Sequence, residues 1–207
     1  MLDALRRKLS RASRGEPLVV VSGLPRSGTS MMMRMLEAGG VPILTDAERS
    51  ADIDNPKGYF ELERIKNLEK ETDKSYVREG RGKALKVISF LIKDLPDDND
   101  YRVIFMRRNL DEVLTSQNKM IDRLGTEDSS AAHEAMKEAY RNDIVRTRLL
   151  CKKRPNVELI ELHYRGAIED PAAACHAVNV FLGGHLDETA MRESVDAALY
   201  RNRKESI

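Results

Sequence analysis

The stretch Gly23-Leu24-Pro25-Arg26-Ser27-Gly28-Thr29-Ser30 concentrates residue types that handle an anion. Two glycines bracket four residues, an arginine sits among those four, and hydroxyls stand at Ser27, Thr29 and Ser30. Glycines let successive backbone N–H groups curl toward one oxyanion, and a helix starting at Thr29 adds the partial positive charge of its N-terminus. The spacing is that of a nucleotide-binding P-loop, yet Thr29 stands at the position of the P-loop lysine. The cation is instead Arg26, inside the loop. Phosphoryl transfer from a nucleoside triphosphate uses that lysine and a carboxylate that organises magnesium. None of the strand-like runs ends in such an aspartate. The loop suits an anionic group handled without a metal.

A second candidate follows another apolar run. Arg107-Arg108-Asn109-Leu110-Asp111 comes directly after Tyr101–Met106, and Ser116 lies eight residues beyond Arg108. A guanidinium makes paired hydrogen bonds to phosphate oxygens. Ser116 can reach the same group from the helix that follows.

The elements that must position these residues alternate. Leu18–Val21 is a continuous apolar, β-branched run, the pattern of a strand buried on both faces. Thr29–Glu37 reads as a helix stopped at Gly39-Gly40. Thr45–Gly58 is a polar loop, and Glu61–Tyr76 reads as an amphipathic helix with Leu62, Ile65 and Leu68 on one face. Further strands are expected at Ala84–Ile88, Tyr101–Met106 and Val157–Leu162. Further helices are expected at Asp111–Leu124, Ser130–Lys153, Pro171–Leu182 and Glu188–Leu199. Strands alternating with helices imply an α/β fold: a P-loop-like three-layer sandwich with a central parallel sheet flanked by helices. There is no internal repeat or linker, so residues 1–207 read as a single domain, opened by a basic lead-in helix over residues 1–16.

Composition narrows the function classes. The chain has 35 Lys plus Arg against 34 Asp plus Glu, a formal net charge of +1, which disfavours a nucleic-acid partner. No apolar run approaches the roughly 20 residues of a membrane span. Two cysteines, Cys151 and Cys175, cannot form a disulfide framework or a four-thiolate metal site, and a reducing, cytoplasmic compartment follows most simply.

Val19–Ser30 resembles the 5′-phosphosulfate-binding loop of the sulfotransferase superfamily, with Pro25-Arg26-Ser27-Gly28-Thr29 in the form seen in tyrosylprotein sulfotransferases and many bacterial members. Arg108 and Ser116 match the spacing of the family's 3′-phosphate element, with Leu110 in place of the usual proline. Tyr164, Pro171 and Phe181-Leu182-Gly183 follow the family's order, in which the tyrosine lies near the adenine. The resemblance spans roughly residues 18–185. It implies a sulfotransferase that takes 3′-phosphoadenosine 5′-phosphosulfate (PAPS) as co-substrate and needs no metal. Pro25, Arg26, Ser27, Gly28, Thr29 and Ser30 would cradle the 5′-phosphosulfate, Arg108 and Ser116 the 3′-phosphate, and Tyr164 the adenine.

The acceptor side is implied more locally. The cytosolic members use a histidine after the second strand, and His133, His163, His176 and His185 all lie elsewhere. Asn55-Pro56-Lys57-Gly58-Tyr59-Phe60-Glu61 resembles a stretch common in bacterial members, which makes Glu61 the first choice for general base, with Asp46 and Glu48 in reserve. Lys86 resembles a lysine of bacterial relatives that would bind the transferring sulfonate. Arg201 and Arg203 resemble the basic segment that closes the family's cofactor site, although Glu205 stands at its glycine position. The acceptor would be a small molecule, glycan or peptide side chain carrying a hydroxyl or amine. Two rivals stay open on sequence alone: a degenerate P-loop nucleotide or metabolite kinase, and a non-catalytic nucleotide-binding protein of the same fold.

Overall fold

The computed structural model describes residues 14–46, 60–122 and 130–196. The lead-in helix, Glu48, Arg201 and Arg203 therefore lie outside the described residues, apart from Arg14 and the turn that follows it.

The apolar run after Pro17 forms β1 (Leu18–Gly23), buried along its whole length. It is followed by α1 (Thr29–Ala38), β2 (Ala84–Ile88), β3 (Tyr101–Arg107), α2 (Leu110–Asp122) and α3 (Ser130–Lys153). The chain then runs through β4 (Val157–His163), α4 (Tyr164–Glu169), α5 (Pro171–Leu182) and α6 (Glu188–Glu193). All strand pairs are parallel, in the order β2-β1-β3-β4, and Val20 lies between Leu85 and Val103.

Alternate residues of the central strands feed two cores, which is why β1 is apolar throughout. Val19, Val21, Ile104 and Met106 pack with α1, α5 and α6, where Met32, Met35, Cys175 and Met191 are buried. Leu18, Val20, Val103 and Phe105 pack with α3 and the irregular segments near β2, where Ile144, Leu68 and Leu91 are buried. The result is the expected three-layer α/β sandwich. Among the described residues no helix is long and apolar enough to cross a membrane.

Two expectations need correction, and one helix was not expected. Glu61–Tyr76 is not one helix but two short 3-10 segments, Glu63–Asn67 and Ser75–Gly80. The Ser75 N–H donates to the Asp73 carboxylate at 2.9 Å, a local turn that competes with helical bonding. Tyr164 begins α4, a short helix around Gly166 that the sequence pattern missed. The last helix stops at Glu193, so the part of the expected 188–199 helix that is described is shorter.

Candidate functional site

The sheet order places β1 between β2 and β3, so the chain goes out from β1 to β2 on one side and then crosses back to β3 on the other. Ligands of open α/β sheets bind outside the C-terminal strand ends at such a point. The β1–α1 loop and the residues following β3 both lie there.

Both loop glycines have a steric reason. A Cβ on Gly23 would fall 2.6 Å from the Met106 carbonyl oxygen, and one on Gly28 would fall 2.3 Å from Cδ2 of Tyr164. Gly28 also has φ 102°, outside the range that side chains tolerate. Arg26 adopts φ 65°, a left-handed conformation that is unusual for a non-glycine residue and concentrates at functional sites. Helix α1 has neither a side-chain N-cap nor an acidic residue in its first turn. Its N-terminus can thus offer amide donors to an anion.

The two separate arginine motifs meet. Arg26 Nε donates to Ser116 Oγ at 3.0 Å, and Arg108 Nη1 donates to the Arg26 carbonyl at 3.1 Å. The Arg108 guanidinium lies 4.7 Å from the centre of the Tyr164 ring. Tyr164 is buried and supports Arg108 on one ring face; burial, partly offset by Arg108, Arg34 and Arg26, pushes its phenol up. Arg108 is also ion-paired with Glu112 at 2.9 Å. Asn109 fixes the start of α2, its side-chain Oδ1 accepting from the Asp111 and Glu112 amides. Ser27 is buried, and its hydroxyl has no hydrogen-bond partner among the described residues.

Arg107 does not join this group. The strand pleat turns it to the α3 side, where Glu161 binds it at 2.7 Å and binds Arg148 at 2.5 Å.

A second cluster lies beside the loop. Lys86 Nζ donates to Ser30 Oγ at 3.2 Å and to Glu61 Oε1 at 3.2 Å, and Lys66 Nζ lies 3.1 Å from Glu61 Oε2. Burial pushes the Glu61 carboxyl up, but Lys86 and then Lys66 outweigh it and hold it below the ordinary carboxylate range. Glu61 is consequently ionised near neutral pH, the form that a general base requires. Thr45 Oγ1 donates to its backbone carbonyl at 2.7 Å, anchoring the segment. Asp46 is occupied by the Glu63 amide at 2.6 Å, a structural role for that reserve candidate.

The sequence reading missed Lys66 and Glu112. Glu112 was legible as the i+4 partner of Arg108. Lys66 was not, because its approach to Glu61 depends on the 3-10 turn. A separate hollow lined by Arg14, Arg78, Arg81, Asp97 and Asp98 opens at the opposite, N-terminal edge of the sheet. Its guanidiniums are engaged by Asp100, Asp98 and Asn99, as a structural network. Among the described residues no group of three or more His, Cys, Asp or Glu side chains is arranged to hold a metal ion.

A family model described as "Sulfotransferase domain" matches residues 16–206. Among solved structures, the sulfotransferase domain from the Synechococcus PCC 7002 olefin synthase is similar at TM-score 0.54 and 16% identity, covering 92% of this chain and 81% of that one. A sulfotransferase of Mycobacterium avium is similar at TM-score 0.53 and 14% identity, with 86% and 67% covered. The sulfotransferase domain from the curacin biosynthetic pathway gives 0.51 and 13%, with 89% and 80% covered. At these identities the structures establish a shared fold. The search of curated proteins gave no significant match.

Proposed function

The chain belongs to the sulfotransferase family, and on that premise we propose that PAPS is its sulfonyl donor and that residues 1–207 act as one domain. The reaction is sulfonyl transfer. The acceptor hydroxyl or amine attacks sulfur in line with the bridging phosphate oxygen. A bond forms from acceptor to sulfur while the sulfur–oxygen bond to phosphate breaks. The electron pair leaves on the 5′-phosphate of 3′-phosphoadenosine 5′-phosphate (PAP), and the acceptor proton passes to Glu61.

Each residue has a role in this reading. The backbone amides of Gly28 through Ser30 and the side chain of Arg26 stabilise charge on the leaving phosphate. Lys86 neutralises the sulfonate and holds Glu61 ionised beside it. Arg108 and Ser116 take the 3′-phosphate, and Tyr164 supports Arg108 at the nucleoside end. Pro25 helps set the loop's turn. The basic residues Arg201 and Arg203 would cover the bound nucleotide.

The observation that carries the reading is the meeting of Arg26, Ser116 and Arg108 through contacts of 3.0 and 3.1 Å. Those residues come from two distant segments and converge where a nucleotide with phosphates at both ends would lie. A triphosphate-dependent kinase lacks support, because Thr29 replaces the lysine such a site requires. The buried thiols Cys151 and Cys175 fit a reducing, cytoplasmic setting.

Transfer of labelled sulfonate from PAPS across a panel of small-molecule, glycan and peptide acceptors tests the proposal. Product is expected with the native chain and at least about 100-fold less with Arg26→Ala. Equal product from both proteins contradicts the role of Arg26.

A further inference from the structure

The Glu61 carboxylate is gripped at both of its oxygens. Lys86, on β2, donates to Oε1 at 3.2 Å, and the Lys66 ammonium lies 3.1 Å from Oε2. The two lysines differ in their surroundings. Lys86 is 16% exposed and also donates to Ser30 Oγ at the start of α1, so the Oε1 side of the carboxylate faces the β1–α1 loop. Lys66 is 46% exposed and is also ion-paired with Glu63, so it holds Oε2 from the solvent side.

The contact with Lys66 is a product of the local fold. In a continuous α-helix, positions 61 and 66 would point about 140° apart. Instead Leu62 is extended, at φ −110° and ψ 111°, and the 3-10 turn Glu63–Asn67 begins after it. Glu61 thus precedes the turn, and Lys66 folds back onto it. The backbone of Glu61 is fixed by other means. Phe60 packs against the core on the α1 side, and Thr45 Oγ1 donates to the Glu61 carbonyl at 2.7 Å. These contacts leave the side chain free to rotate, and the terminal torsion of a glutamate has only broad preferences. Lys86 grips one oxygen. A cation on the other oxygen sets the plane of the carboxylate.

We propose that Lys66 is a positioning residue for sulfonyl transfer: by gripping Oε2 it keeps Oε1 turned toward the β1–α1 loop, where the acceptor gives up its proton. This rests on the reading of Glu61 as general base. The charged groups around that carboxylate are Lys86 on β2 and Lys66 and Glu63 on the turn, with Asp46 accepting from the Glu63 amide at 2.6 Å. Burial raises the Glu61 carboxyl, and Lys86 and then Lys66 outweigh it. Loss of Lys66 therefore moves protonation of Glu61 to higher pH.

Transfer kinetics with PAPS and the most productive acceptor of the panel test it, on native protein, Lys66→Met, Lys66→Arg, Glu61→Gln and the double variant Lys66→Met/Glu61→Gln. Lys66→Met should lower kcat about 10- to 100-fold, the scale of a misplaced reacting group, and leave PAP affinity and acceptor KM within about twofold. The acid limb of its kcat profile should move to higher pH. Lys66→Arg should recover most of kcat, since a guanidinium can also grip a carboxylate oxygen. In the Glu61→Gln background, Lys66→Met should change kcat by less than about twofold. The urea midpoint of Lys66→Met should stay near the native one, because exposed ion pairs add little stability. An unchanged kcat in Lys66→Met overturns the assignment, as does an acid limb that does not move. So does a loss of kcat that persists at full size in the Glu61→Gln background, or that is matched by a fall in the urea midpoint. A fully active Glu61→Gln overturns the general-base reading itself, and a native chain that gives no product with any acceptor overturns the transfer reading. An inactive Glu61→Gln beside a fully active Lys66→Met overturns Lys66 alone.

Discussion

Replacing Gly28 by alanine tests how the loop is held, because its cost divides into two separable parts. The first is conformational. At φ 102° an alanine is strained whatever surrounds it, at about 1–2 kcal/mol. The second is contact. The added methyl would lie 2.3 Å from Cδ2 of Tyr164, whereas carbon atoms pack at about 3.5–4.0 Å. The ring must move from beneath Arg108, and such overpacking costs about 1–3 kcal/mol. Gly28→Ala should therefore lose about 2–5 kcal/mol in urea unfolding followed by circular dichroism, with an unchanged m-value. Tyr164→Ala removes the second part but opens a cavity of its own. In that background Gly28→Ala should cost only the conformational part. The double-mutant cycle should show a coupling of about 1–3 kcal/mol. Additivity within about 0.5 kcal/mol would refute the argument that Tyr164 excludes a side chain at this position.

Other outcomes follow from the same geometry. Arg26→Gly should leave the free protein as stable as the native one, or up to about 1 kcal/mol more so, while abolishing sulfonyl transfer; parallel unfolding and activity assays check the divergence. Glu61→Gln should lower kcat by about 100- to 10,000-fold with a smaller change in PAP affinity, read from single-turnover transfer and titration. The Glu61 carboxyl is held below its ordinary value of 4.5, so it contributes stability above that pH and loses it as pH falls through the lowered folded value. The stability difference between native protein and Glu61→Gln should consequently be largest near neutral pH and vanish on acidification. Lys86→Met should release the carboxylate from the cation that lowers it most and shift that acid midpoint upward, as pH-dependent unfolding would show.

Much of this fold was legible because local chemistry and tertiary context agree. Helix α5 begins with Pro171, is capped by Asp170 accepting the Ala173 amide at 3.0 Å, and ends at Gly183 with φ 112°. Helix α3 carries the bounds its composition suggested, and each strand was marked by its apolar run. Periodicity misled where a local turn at Asp73 and Ser75 overrode an amphipathic pattern that buries few residues. In the candidate site, the loop and the Arg108–Ser116 spacing were readable because each motif is contiguous or nearly so. Their convergence was not, since it depends on the strand order. The cancellation of Arg108 by Glu112 and the turning of Arg107 toward Glu161 are consequences of packing. The overall charge balance gave no hint of them.

In the proposed reaction the β1–α1 loop and Arg108 together hold one nucleotide phosphorylated at both its 3′ and 5′ positions. Calorimetric titration with PAP, AMP and ATP–magnesium is the decisive measurement. PAP should bind at least about tenfold more tightly than AMP, Arg108→Ala should remove the difference, and magnesium should confer no preference for ATP. Equal affinity for PAP and AMP, or a magnesium-dependent preference for ATP, would contradict it.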